Sequence, residues 1–391
     1  MSKYKSLLLS PLRIRDVTLP NRIVVSPMCL YSAVDGVAND WHFVHYGKLA
    51  TGGSGLVLVE ATAVEPAGRI THGCTGLWKD AQIEPLRRIA EFVRSEGSIP
   101  GIQLAHAGRK ASSQRPWQGG EALSEAEGAK GEGPWSMVAP SAIAANAKRD
   151  TPTALEIDEM RQITDRWMKA TRRALACGFD VVEIHGAHGY LLHSFLSPVS
   201  NQRTDAYGGC LENRMRYPLE VAAAVRREWP DHLPAFYRLS AIDGLPDGWK
   251  IEDTLVFSAR LRELGYDVID CSSGGIDAER SRSVATSLTR RPGFQVPFAH
   301  RVRKELGIMT AAVGLIVDPR HAESILQKKQ ADLICLGRQL LFNPQWPLQA
   351  IVELEGERGY DDWPPQYEWS LRKRARWAAN YREKNSNDPR S

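Results

Sequence analysis

Short, nearly continuous apolar runs recur along the chain at 23–26, 55–59, 99–104, 180–184, 235–239, 267–270, 308–311 and 332–336. Uninterrupted apolar character over four to six residues is what a strand buried on both faces requires, as in a parallel sheet. Between the runs lie helical patterns. Residues 83–94 and 157–176 repeat apolar positions every three or four residues, the spacing of a single buried helix face. Ala176-Cys177-Gly178-Phe179-Asp180 and Leu264-Gly265-Tyr266-Asp267 put a glycine where a helix ends before the next strand. Eight strands in this rhythm predict an α/β fold, a (β/α)₈ barrel in one domain over residues 1–391. The competing arrangement is an open doubly wound sheet. No G-x-G-x-x-G follows the first strand, and Gly52-Gly53-Ser54-Gly55 precedes a strand, so it reads as a helix-to-strand turn rather than a phosphate loop.

Two segments break the rhythm. Residues 12–22, with Asp16 in the middle and Pro20-Asn21 at the end, predict a hairpin ahead of the first barrel strand. Residues 107–152 are rich in Gly, Ser, Ala, Pro and Glu. They form a long excursion after the third strand, on the face where barrel active sites form, and are a candidate lid.

Composition narrows the function. Fifty basic residues against 46 acidic give a net charge of +4, too balanced to imply nucleic-acid or membrane binding. The basic cluster Leu371-Arg372-Lys373-Arg374-Ala375-Arg376 reads first as a solvated helical face and second as an anion contact. The six cysteines, at 29, 74, 177, 210, 271 and 335, contain no C-x-x-C pair and no secreted disulfide framework. With no signal peptide and no apolar run of membrane-spanning length, a cytoplasmic location is expected.

Barrel chemistry sits at the carboxyl ends of the strands. After the first strand comes Ser26-Pro27-Met28-Cys29-Leu30-Tyr31, a thiol and a phenol able to face a redox centre; taken alone, Cys29 reads first as a small buried hydrophobe. At the third strand Gln103 can donate and accept at once, which matches the pyrimidine edge of a flavin, although an isolated glutamine there also serves as a core polar group. His185-Gly186-Ala187-His188-Gly189-Tyr190 follows the fourth strand. Two imidazoles three residues apart on a glycine-bearing turn can both donate to one carbonyl or nitro oxygen, and Tyr190 can supply a proton to the opposite carbon. The alternatives are zinc ligation, with His193 as third imidazole, and plain structural histidines. Arg238 after the fifth strand is a fixed cation, for a reduced flavin or for an ion pair. Gly314 after the seventh strand, with Gly337 and Arg338 after the eighth, forms the usual barrel phosphate site. Phosphosugar barrels share it, so a metal-dependent or phosphosugar lyase is the alternative enzyme; a non-enzymatic binding barrel fits poorly with so many polar strand ends.

Taken together the residues resemble the Old Yellow Enzyme family, most closely its xenobiotic-reductase branch. The resemblance runs from about Leu12 to Tyr367. It rests on Asn21-Arg22 leading into Ser26-Pro27-Met28-Cys29, on Glu60-Ala61-Thr62, on Gln103-Leu104-Ala105-His106-Ala107-Gly108-Arg109 and on His185-Gly186-Ala187-His188-Gly189-Tyr190-Leu191-Leu192. It also rests on Ser197-Pro198, Asn201, Arg203, Asp205-Ala206-Tyr207-Gly208-Gly209, Glu212-Asn213-Arg214 and Gly337-Arg338. The resemblance implies non-covalent FMN, reduction by NADPH or NADH, and hydride delivery to an electron-poor alkene in the same site. It implies that Ser26, Pro27, Met28, Cys29, Ala61, Gln103 and Arg238 contact the isoalloxazine, and that Gly314, Gly337 and Arg338 hold the phosphate. It assigns His185 and His188 to the substrate's activating oxygen, Tyr31 to the pocket wall, Cys29 to the flavin potential and Tyr190 to proton donation. No metal is implied.

The chain departs from the short-chain relatives at Trp369, where a tryptophan resembles the xenobiotic reductases, and from this branch at Val313. Trp369 follows Pro365-Gln366-Tyr367-Glu368 where short-chain relatives carry an arginine that reaches the neighbouring subunit's pocket, so Trp369 is expected at the substrate site of a homodimer or homotetramer, from the 364–391 tail. Val313 stands where the xenobiotic reductases have an active-site tryptophan, which predicts a roomier pocket. The cysteine cluster of multidomain relatives such as dienoyl-CoA reductases is missing.

Overall fold

The computed structural model describes residues 3–277 and 289–386. Twelve strands are present among them. β1 (Leu12–Ile14) and β2 (Val17–Leu19) pair antiparallel, Leu12 opposite Leu19 and Ile14 opposite Val17, giving the expected hairpin. Arg15 turns the corner at φ 53° and pairs with Asp267 at 2.7 Å. Asp267 immediately precedes a barrel strand, so the hairpin closes the amino-terminal end of the barrel and leaves the carboxyl end for function.

The barrel strands are β3 (Ile23–Val25), β4 (Leu56–Ala63), β5 (Ile99–Ala105), β8 (Val181–Gly186), β9 (Ala235–Ser240), β10 (Val268–Ser272), β11 (Met309–Ala312) and β12 (Leu333–Leu336). All pair parallel in chain order, and β12 returns to β3 with Ile334 opposite Ile23. A right-handed helix follows each strand on the outside. In Ile157–Ala176, Met160, Ile163, Trp167, Ala170 and Ala174 are buried. Their alternating three- and four-residue steps put one stripe against the barrel. Burying such a stripe is worth about 1.5–3 kcal/mol per large side chain.

The 107–152 excursion is more ordered than a plain loop. It contains 3₁₀ turns at Gly108–Lys110 and Pro116–Gln118, a one-turn helix at Glu125–Gly128, and β6 (Val138–Ala139), which pairs with β7 (Thr153–Ala154) just beyond it. Arg115 and Glu132 form a two-pronged ion pair within it, at 2.6 and 2.7 Å. The basic cluster lies on the helix Pro365–Ser386, where Arg372 is bonded to Glu368 at 2.6 Å.

Candidate flavin site

The carboxyl ends of the barrel strands open into a cavity of about 1030 Å³. Ser26, Pro27 and Met28 line it beyond β3, His188 beyond β8, and Arg238 on β9. Gly314, Gly337 and Arg338 line it beyond β11 and β12, next to the β3 end, where Gly337 lies against Met28 and Ser26. A separate, nearly filled recess is walled by Ala61 and Tyr190. His185 stands between His188 of the cavity and Tyr190 of the recess. Its ring meets that of His188 edge-on at 5.1 Å between centroids and that of Tyr190 at 4.9 Å.

The turn carrying these rings is held tightly. His188 sits in the left-handed region at φ 59°, its backbone N–H donates to Ser240 Oγ at 3.0 Å, and its Nε2 lies 2.7 Å from Ser272 Oγ. The loop after β10 presses against it. A Cβ on Gly275 would come within 2.6 Å of His188 Cα, so only glycine permits this approach. His185 Nδ1 accepts the Ala187 N–H at 3.3 Å, which puts the ring proton on Nε2. Burial, with Arg238 adding to it, pushes both imidazoles well below their ordinary pKa. They are neutral N–H donors across the physiological range.

His193 does not join them. Its Nδ1 accepts the Gly189 N–H at 2.8 Å and its Nε2 lies 2.9 Å from Asp243, so it braces the turn from behind. Among the described residues no group of three or more His, Cys, Asp or Glu is placed to hold a metal. The three-imidazole zinc arrangement that a lyase needs is therefore not formed.

Cys29 is bonded through its thiol to the Tyr31 hydroxyl and the Ala61 backbone, and burial pushes its pKa well up, so it stays a thiol. Glu60 accepts the Leu30 N–H at 2.9 Å and steadies this turn, in which Tyr31 has φ 51°. Gln103 donates to Glu183 at 2.8 Å, and Arg238 Nε lies 3.5 Å from Asp270. Trp369 lines neither cavity of this chain. It lies on the helix Pro365–Ser386, is 65% exposed, and is bonded to the Gln366 carbonyl.

Two neighbouring cations tie the rim together. Arg109 donates to the carbonyls of Ala144 at 3.0 Å and Ile276 at 2.8 Å. Lys110 donates to His188 O at 2.7 Å and to Gly275 O, and its ammonium stands 5.8 Å from the Tyr190 ring centre. Lys110, Glu183, Asp270, Ser272 and Gln295 carry no assignment from the sequence, yet all five belong to the site or support it.

A glycine pair beyond β11 and β12, a neutral imidazole pair and a buried cation at one barrel mouth, with a half-satisfied amide beneath it, fit a flavin-dependent oxidoreductase. The residues fit FMN. Ser26 Oγ and Arg238 Nε are buried without a protein hydrogen-bond partner, and Gln103 retains an N–H and a carbonyl for a ring edge. Comparison with known proteins agrees. Residues 7–357 match the NADH:flavin oxidoreductase / NADH oxidase family, and the chain belongs to that family. It is 44% identical to the NADPH dehydrogenase of Geobacillus sp. (strain WCH70) over 90% of this chain and 95% of that one. It is 43% identical to the NADPH dehydrogenase of Bacillus subtilis (strain 168) over 90% and 96%. Morphinone reductase superposes with a TM-score of 0.74 at 27% identity, covering 90% of this chain and 91% of that one. The protein is accordingly an NAD(P)H-dependent oxidoreductase of the Old Yellow Enzyme type, with FMN as cofactor.

Proposed function

We propose that the protein is an ene-reductase acting on alkenes activated by a carbonyl or nitro group: enones, enals, maleimides and nitroalkenes. The observation that carries this reading is the His185–His188–Tyr190 ring cluster, which His188 brings to the wall of the cavity. When bound, FMN supplies the hydride, taken from NAD(P)H, to the alkene β-carbon. His185 and His188 bind the activating oxygen as neutral donors. Tyr190 gives the proton to the other carbon, and burial, which raises its pKa, keeps that proton in place until it is needed. Ser26, Pro27, Met28, Cys29, Ala61, Gln103 and Arg238 hold the ring, with Cys29 tuning its potential; Gly314, Gly337 and Arg338 hold the phosphate. Tyr31 lines the substrate side.

The rest of the chain has a place in this reading. It is one FMN-binding domain, with 107–152 as the lid. Trp369, remote from its own cavity, serves the pocket of a neighbouring subunit in a homodimer or homotetramer. The site of action is the cytoplasm. In keeping with it, all six cysteines are free and no helix among the described residues is long and apolar enough to cross a membrane.

The test is a visible spectrum followed by anaerobic addition of NADPH and then 2-cyclohexenone. Flavin absorbance that bleaches with NADPH and returns with the enone is expected. Bleaching without return leaves a flavin reductase with another acceptor, and a protein that takes up no FMN overturns the reading. His185→Ala removes one donor to the activating oxygen. It is expected to weaken the binding of a phenolic ligand, read by spectral titration, by about tenfold, the worth of one hydrogen bond. Unchanged titrations would remove His185 from the substrate site.

A further inference from the structure

Beneath the cavity, four polar side chains from four consecutive strands meet inside the barrel. Gln103 on β5 stands in register with Glu183 on β8, and Arg238 on β9 with Asp270 on β10. Glu183 and Asp270 are fully buried and the Arg238 side chain is 8% exposed. Glu183 Oε1 accepts from Gln103 at 2.8 Å, whereas its Oε2 is buried without a hydrogen-bond partner. The other groups that face the cluster add no charge. His185 on β8 is held neutral, Cys335 on β12 is a buried thiol, and Ser26 beyond β3 is a hydroxyl. One guanidinium at the floor of the cavity thus faces two carboxylates that are themselves closed to water. With both ionised, one negative charge is uncompensated, and at low dielectric that costs more than holding a proton.

We propose that Glu183 and Asp270 hold one proton between them, and that this shared proton sets the net charge Arg238 presents to the flavin edge. The pair titrates as a unit. Burial first, then repulsion from Asp270, pushes Glu183 up to about 8 against the pull of Arg238, and burial raises Asp270 as well. Below that value the cluster is neutral. Above it the cluster is an anion, set under a ring that itself becomes negative on reduction. Both carboxylates are positioning residues. Glu183 fixes the Gln103 amide, and Asp270 aims Arg238.

The flavin half of the proposal rests on the FMN reading above. The experiment compares FMN-loaded wild type with Glu183→Gln and Asp270→Asn, two near-isosteric variants that each leave Arg238 with a single carboxylate. Flavin midpoint potentials are measured well below and well above the Glu183 value. The potentials of wild type and variants are expected to run parallel at low pH, and wild type alone to fall more steeply as pH rises and the proton leaves. An infrared titration reads the proton directly. The C=O band of a protonated carboxyl is expected to vanish with rising pH in wild type and to be missing from both variants. A wild-type potential with the same pH slope as the variants, or a carboxyl band that survives in both variants, overturns the proposal. The infrared arm needs no flavin, so a protein that holds no FMN overturns the flavin half alone.

Discussion

Replacing Tyr190 with phenylalanine is expected to slow flavin reoxidation by an enone by about 10²–10⁴-fold, the usual worth of a positioned general acid, while flavin reduction by NADPH stays near its wild-type rate. Only the oxidative half-reaction needs a proton at carbon. The substitution removes the hydroxyl and keeps the ring, and the ring makes the edge-on contact with His185 and underlies the Lys110 ammonium. The turn therefore survives. Burial first holds the proton on this phenol, and Arg149 is the cation that draws the Tyr190 pKa back down against it. Stopped-flow traces of the two half-reactions decide the matter. Equal slowing of both would mean that Tyr190 shapes the site rather than donating in it.

Arg238→Met is expected to be the most damaging single change at the site. It leaves Glu183 and Asp270 buried without their cation, and breaking a buried pair in this way costs about 3–5 kcal/mol. The sign of the pH dependence follows from the direction of the shifts. Both carboxyls have folded-state pKa values raised by burial, with Glu183 near 8 against about 4.3 when unfolded. Protonation thus favours the folded state. The variant's deficit should be smallest near the unfolded carboxyl pKa and grow as pH rises through about 8. Urea unfolding of the FMN-free protein at the two ends of that window measures it, and a deficit that shrinks with rising pH would contradict the buried-pair account. FMN affinity should fall at least about tenfold, since a charge-assisted hydrogen bond is lost.

The barrel was legible because every barrel strand is buried on both faces, and such strands read as apolar runs. The misreadings have the same cause. The apolar run of β4 stops at residue 59, yet the strand continues to Ala63 through Glu60 and Thr62, with a register shift between Val59 and Thr62. Polar residues inside a strand look like its end unless their buried partners are known: Glu60 faces Tyr46 and His42, both on a neighbouring helix. The two-residue strands β6 and β7 carry no periodicity at all.

In the site, residues at strand ends were visible and their supports were not. His185, His188 and Arg238 stand where chain order and barrel geometry require. Glu183 lies two residues before His185 on the same strand and so on the same face, a signal that was present in Val181-Val182-Glu183-Ile184-His185. Asp270 within Val268–Ser272 gave the same hint. Lys110 acts on the carbonyls of His188 and Gly275, 78 and 165 residues away. No local pattern encodes such a pairing.

That pairing bears on how such a barrel acquires new substrates. Arg109 and Lys110, adjacent in sequence, fasten three separate loops by their carbonyl oxygens, which any residue can provide. Except at Gly275, where only glycine fits, and at His188 itself, side chains on those loops are therefore free to vary without loosening the rim. Changes in loop length displace the carbonyls themselves and undo several bonds at once. Diversification is channelled into point substitutions at positions such as Val313, and a loop transplanted from a relative must arrive together with the two cations that anchor it.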